Sequence, residues 1–156
     1  MELLIGASIL LLIVGVQIGF QHLKSVRIRR AWQTAEQAIR VKDYGLAEEA
    51  LQRCIKIMPL WLAPRTLLAV VLAERGALVE AEETLQLVTS LEPRNAEGYL
   101  SLGVFYARYQ PDRIDDIAEV LATAISHNPE LQQRLRHEKW LDPLRNLPKL
   151  QAILEP

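Results

Sequence analysis

The chain is short of the residues that chemistry at a buried centre requires. Among 156 residues it has one cysteine, Cys54, and three histidines, His22, His127 and His137. A single thiol makes no intramolecular disulfide, and it permits a reducing compartment without requiring one. The histidines stand apart, with neither His-x-x-x-His nor H-E-x-x-H spacing, so they build no zinc site. The seven glycines fall in an apolar leader, in turns and at a helix contact, and never gather into a phosphate-cradling loop. Paired carboxylates, Glu48–Glu49 and Glu82–Glu83, read as solvated helix faces. No catalytic site, metal, cofactor or small-molecule substrate is expected, and the chain is read as not an enzyme.

Charge is missing altogether from residues 3–20, "LLIGASILLLIVGVQIGF". As a helix at about 1.5 Å per residue this stretch measures roughly 27 Å, enough to cross a hydrocarbon core. A cleaved signal peptide would open on basic residues and end in a small-residue site. Here the leader is "ME" and the run closes "GFQHLK". A buried helix is a further alternative; the flanks favour an uncleaved anchor. Lys24, Arg27, Arg29 and Arg30 follow, with no acid until Glu36. The expected topology is therefore single-pass, N-terminus out and the bulk of the chain cytoplasmic, in a bacterial inner membrane or a thylakoid or organelle equivalent. The same four cations are expected at lipid headgroups. Gly15 and Gly19, with Gln17 between them, form a G-x-x-x-G contact for another membrane helix. Residues 31–156 hold 14 Lys/Arg against 18 Asp/Glu, a surplus of negative charge that argues against nucleic acid as partner. Between Gly19 and Gly45 there is neither Gly nor Pro, so one continuous rod over 3–41 is expected, with a flexible joint near residues 21–26 as the alternative.

What the chain has in plenty is repetition. "LQRCIKIMP" at 51–59, "LQLVTSLEP" at 85–93 and "LATAISHNP" at 121–129 each run from Leu to Pro, spaced by 34 and then 36 residues. Each unit reads as two helices: "RRAWQTAEQAIRVK" and "LAEEALQRCIKIM" around "DYG"; "APRTLLAVVLAERG" and "LVEAEETLQLVTSLE"; "AEGYLSLGVFYARY" and "RIDDIAEVLATAISHN". Pro64 suits a first helical turn. Asn95 and Asp112 stand where N-caps are expected.

Small residues at Ala35, Ala69 and Gly103, large ones at Leu51, Leu85 and Leu121, and the closing prolines resemble the tetratricopeptide repeat (TPR), a 34-residue helix–turn–helix unit. Tyr99, Leu102, Gly103 and Tyr106 carry the pattern best. Cys54, Val88 and Ala124 take the next small core position, where cysteine acts as a small hydrophobe. Ala31 and Arg65 depart from the family's aromatic, and "QPDRI" lengthens the third turn. The resemblance covers about 28–129. With the apolar leader, the expected fold is all-α: an N-terminal transmembrane helix (anchor and basic segment, 1–27), an α-solenoid of three TPR hairpins (28–61, 62–95, 96–129), as the resemblance implies, and C-terminal capping helices (130–156). Leu131, Leu135, Trp140, Leu144, Leu147, Leu150, Ile153 and Leu154 supply the cap.

In that family the first helices line a concave groove for a peptide or helix. Carried over by register, the lining is Arg29, Trp32, Glu36, Ile39 and Arg40, then Ala63, Thr66, Val70, Ala73 and Glu74. The third unit adds Glu97, Leu100, Val104, Ala107 and Arg108. The clamp for a terminal carboxylate is absent, since Trp32, Glu36, Leu67, Glu97 and Ser101 occupy its places. An amphipathic helix or extended apolar peptide is the expected occupant. The resulting reading is a membrane-anchored adaptor that holds a protein partner for assembly, stabilisation or quality control of a membrane complex. A permanent structural subunit and an organelle-surface import receptor are the alternatives.

Overall fold

The computed structural model describes the backbone of residues 2–155 and the side chains of Val16, Gln17 and residues 19–155. All regular structure among them is helical, in two compact units, Met1–Trp61 and Leu62–Pro156.

The first unit is a hairpin of α1 (Glu2–Arg40) and α2 (Tyr44–Ile57). α1 runs without a break, about 58 Å at 1.5 Å per residue. Ser25, a possible cap for a new helix, instead donates to the His22 carbonyl (2.7 Å) within the same helix. α1 stops where Lys42 enters the left-handed region (φ 59°). Asp43 N–H then reaches back to the Ala38 carbonyl (2.8 Å) and Lys42 N–H to that of Ile39 (3.1 Å), a Schellman closure. Asp43 also caps α2, its carboxylate accepting from Leu46 N–H at 3.0 Å. The turn is thus Val41–Asp43. Tyr44 and Gly45, expected within it, already belong to α2. Where the helices pack, Ala35 and Ala38 face Ala47, Ala50, Leu51 and Cys54, all buried. Alanines at this spacing let two helices approach closely.

No helix among the described residues is long and apolar enough to cross a membrane. This overturns the expected location, a single-pass membrane protein with its N-terminus out and its C-terminal domain cytoplasmic. α1 has the length, but from Val16 onward its side chains soon turn polar, through Gln17, Gln21, His22 and Lys24. Residues 3–15 and Ile18, the greater part of the expected span, have side chains outside the described residues. The membrane-anchored type of TPR protein, and the transmembrane helix in the expected fold, therefore have no support.

The second unit contains two hairpins and a cap. α3 (Ala63–Glu74) pairs with α4 (Leu78–Leu91), and α5 (Ala96–Tyr109) with α6 (Ile114–His127). Pro64 sits in the first turn of α3. Gly76, at φ 83°, closes α3 as Lys42 closes α1, with Ala77 N–H bonded to the Leu72 carbonyl at 2.9 Å. Asn95 caps α5 by accepting from Glu97 N–H at 3.1 Å. Asp112 caps nothing: α6 starts at Ile114, and Arg113 holds the N-cap position without a side-chain cap bond. α5 and α6 approach closely, for a Cβ on Gly103 would come within 2.7 Å of Leu121 Cδ2.

The expected capping helix is broken into α7 (Glu130–Leu135), a 3-10 turn (Lys139–Leu141) and α8 (Pro148–Leu154). Pro143 and Pro148 oppose a continuous helix, and Pro148 begins the last one. Leu131, Leu135, Leu141, Leu144, Leu150 and Leu154 are buried in the core of the second unit, with Trp140, Leu147 and Ile153 partly buried against it. Arg136 Nε donates to the Leu154 carbonyl (2.6 Å) and Gln132 to that of Ile153 (2.9 Å), fixing α8 beside α7.

Candidate functional site

Helical periodicity places Thr66 and Val70 on one face of α3, and Leu100, Val104 and Arg108 on one face of α5. These five, with Ala69, Leu85, Ser101, Phe105 and Tyr109, surround a hollow of about 190 Å³. Its two aliphatic hydroxyls are occupied by their own helices. Thr66 donates to the Leu62 carbonyl (3.4 Å) and Ser101 to that of Glu97 (2.8 Å). What remains facing the space is overwhelmingly hydrocarbon, and Val70 is 46% exposed. Arg108 meets Glu74 at 2.9 Å, and the Tyr109 hydroxyl donates to the same carboxylate oxygen at 2.7 Å. Arg108 also lies over the Tyr109 ring, 5.4 Å from its centroid. The hollow thus has an apolar lining and one charged, hydrogen-bonded edge.

Glu74 therefore stands beside the hollow through Arg108, whereas Glu97 pairs with Arg134 (3.4 Å) and does not line it. Ala63, Ala73 and Ala107 do not line it either, Ala73 being buried. The register did not supply Ala69, Leu85, Phe105 and Tyr109. The spacing of Phe105 and Tyr109, one helical turn apart, was the available signal for the last two. In the first unit Trp32 packs on Trp61, ring centroids 4.7 Å apart and planes at 40°. Ile39 is half-buried there, while Arg29, Glu36 and Arg40 are exposed.

The expected headgroup cations are exposed, but they do not form one group. Arg27 and Arg30 line a hollow of the first unit together with Arg53 and Lys56, and neither Lys24 nor Arg29 joins them. No helix among the described residues can cross a membrane, so the expected headgroup role of these side chains has no support. Gln17 is exposed, Gly19 has open space where a Cβ would be, and Gly15 lies outside the described side chains.

Glu82, read as part of a solvated face, is instead held by three side chains from outside its own helix. It accepts from Arg113 Nη1 (2.7 Å), the Tyr106 hydroxyl (2.9 Å) and Gln110 Nε2 (3.3 Å). Arg113 also bonds Asp116 through Nε at 2.7 Å and lies 4.2 Å from the Tyr106 ring centroid. Burial alone would raise the Glu82 carboxyl, but the bonds from Arg113, Tyr106 and Gln110 outweigh it and hold the group below its usual value. Arg113 is correspondingly held more firmly protonated, chiefly by Glu82 and Asp116. Burial and the bond to Glu82 push the Tyr106 phenol up. This network joins α4 to α5 and to the turn before α6, and it explains why Arg113 rather than Asp112 occupies the start of α6. Cys54 is fully buried, and burial raises its thiol, which suits a core position and opposes thiolate chemistry. Among the described residues no group of His, Cys, Asp and Glu could hold a metal.

No family model matches the sequence, and no curated protein matches it. Solved structures do. The yeast Sti1 TPR2B domain, in its complex with pHsp70, superposes with a TM-score of 0.60 at 15% identity, over 83% of this chain and 94% of that one. The Arabidopsis OM64 TPR domain gives 0.58 at 17% identity, over 72% and 97%. MamA gives 0.58 at 18% identity over 68% of this chain, and the match spans 61% of the MamA chain. At these identities the likeness establishes the fold alone: the chain is all-α and TPR-like.

Proposed function

We propose that the chain is a protein-interaction scaffold whose second unit receives an apolar segment of a partner protein in the hollow between α3 and α5. The observation that carries this reading is the hollow itself. An apolar recess of about 190 Å³, with Val70 exposed on its wall and the Arg108–Glu74 pair at its edge, has the chemistry of a peptide anchor site. Exposed apolar surface of this kind is better covered than left in water. The recess accepts one or two aliphatic side chains of an amphipathic helix or extended strand. Arg108 and Glu74 then offer a charge of either sign to the flanking residues. Support also comes from the fold, since one neighbour, the Sti1 TPR2B domain, was solved in complex with pHsp70. The work served by such a contact is the assembly, stabilisation or quality control of a protein complex.

Selection of a random dodecapeptide library against the full chain tests the reading. Peptides with paired aliphatic residues should be enriched, and Val70→Glu or Val104→Glu should abolish their binding while leaving the melting temperature within about 2 °C of the parent. Enriched peptides that still bind both variants would place the site elsewhere. So would an absence of enrichment.

A further inference from the structure

The hollow of the first unit differs in every respect from that of the second. It measures about 310 Å³ and is lined by Arg27, Arg30, Ala31 and Thr34 of α1 and by Arg53, Lys56 and Ile57 of α2. The cations come as two pairs, each at i and i+3 and so on one helix face. They converge from the two helices of the hairpin, and all four are exposed. Only Arg53 has an acidic partner, Glu49 at 3.1 Å on its own helix. Among the described residues Arg27, Arg30 and Lys56 have none.

The arrangement does not belong to the repeat. One repeat length of 34 residues further on, the four cation positions hold Trp61, Pro64, Leu87 and Ser90. The basic character is therefore particular to the first hairpin. It shares no residue with the groove positions Arg29, Trp32, Glu36, Ile39 and Arg40. A face kept polar for solubility alone would mix both signs, but this one gathers four positive charges and no negative lining residue.

We propose that this recess is a second, separate binding site, which takes an acidic segment of a partner protein. Carboxylates of such a segment would pair with the two arginines of α1 on one side and with Arg53 and Lys56 of α2 on the other. Ala31 and Ile57 give aliphatic surface for the stems between. Other polyanions fit less well. A nucleic acid extends its charge over many residues, whereas this recess gathers only four cations and residues 31–156 carry 18 acidic against 14 basic side chains. A bilayer surface is flat, and a recess between two helices admits an extended chain that a flat surface does not fill.

The test uses the full chain and a fluorescein-labelled peptide of sequence Glu-Asp-Leu-Glu-Asp-Leu-Glu-Glu, with its Gln/Asn counterpart as control. Anisotropy should show saturable binding of the acidic peptide alone, weakening as salt rises from about 50 to 300 mM. Arg27→Gln/Arg30→Gln and Arg53→Gln/Lys56→Gln should each weaken it about fivefold, as expected for the loss of two partly exposed charge pairs. Arg94→Gln, an exposed cation of the second unit, should not. Val70→Glu should leave this binding intact, which separates failure here from failure of the apolar site. No saturable binding, or equal loss with Arg94→Gln, overturns the proposal. Tighter binding of a 20-base-pair DNA duplex or of phosphatidylserine vesicles, with the same variant sensitivity, overturns the peptide assignment. All four cations are exposed, so the variants should melt as the parent does.

Discussion

Two units built on one repeat pattern have become chemically opposite. The first unit carries 8 Lys/Arg against 5 Asp/Glu, and the second 10 against 14. The first has a small core of alanines with Leu51 and Cys54 beneath a basic hollow. The second has a leucine-rich core, an apolar hollow and a broken cap fastened by side-chain-to-backbone bonds. The repeat thus constrains only the positions where helices touch. Faces pointing elsewhere are free to diverge, and there one recess is lined by cations and the other by hydrocarbon.

The largest test of this comparison lies in the shared core position. Leu51 and Leu121 are both fully buried. Either Leu→Ala change should cost about 2–5 kcal/mol through lost burial plus a cavity. Hydrogen exchange should place each loss in its own unit. A loss below about 1 kcal/mol at Leu51 would mean that the smaller first core collapses around the gap, and the equivalence of the two positions would fail.

The small positions should differ more. Ala35 is fully buried in the first unit and its methyl fits, whereas a methyl on Gly103 would stand 2.7 Å from Leu121 Cδ2 and 3.3 Å from Val120 Cγ2. Overpacking of this sort costs about 1–3 kcal/mol, and alanine's helix propensity offsets about 1 of it. Gly103→Ala should therefore lose between 0 and about 2 kcal/mol in urea unfolding. A gain of about 1 kcal/mol, the full helix-propensity benefit, would show that α5 and α6 pack no closer than α1 and α2.

The two helix ends make a third comparison, with opposite signs. Lys42 and Gly76 are 34 residues apart and close the same Schellman turn at positive φ. Lys42→Gly relieves the left-handed strain of a side chain and should stabilise by about 0.5–1 kcal/mol. Gly76→Ala should destabilise by about 1 kcal/mol. Thermal melts of both variants give the answer, and changes of the same sign would sink the equivalence.

These positions also show what was legible in the sequence. Helix pairs, the core leucines and the small residues could be read because burial imposes a period that survives in one chain. The first turn was misplaced because Gly45 looked like its pivot, while the true pivot is a lysine whose φ no composition rule reveals. Five of the fifteen groove positions met around a real hollow, since Thr66 and Val70, and Leu100, Val104 and Arg108, are fixed by helical spacing alone. Leu85 and Ala69 escaped because a hollow's floor belongs to the core as much as to the site. Glu82 was misread for a further reason: its partners lie 24 to 31 residues away, and no local pattern announces them. The apolar run at 3–20 suggested a membrane span by length and lack of charge alone, and no described helix satisfies both.

The smallest effects concern two Arg–Glu pairs that look alike in sequence. Glu82 and Arg113 meet at 2.7 Å with side chains 18% and 37% exposed, whereas Glu49 and Arg53 meet at 3.1 Å with 66% and 62% exposed. Only the first joins separate elements. Glu82→Gln should cost about 1 kcal/mol at neutral pH, discounted for the open side of Arg113. Because the folded Glu82 carboxyl titrates below its ordinary value, its contribution is complete above the ordinary carboxylate range and is lost as pH falls through the depressed value. The gap in melting temperature between parent and Glu82→Gln should accordingly close on acidification; a gap that widened would remove Glu82 from the charged network. Glu49→Gln should change stability by no more than about 0.3–0.5 kcal/mol, the worth of an exposed i,i+4 pair, and that difference should vanish in about 1 M salt. A loss at Glu49 equal to that at Glu82 would show that exposure does not distinguish the two units.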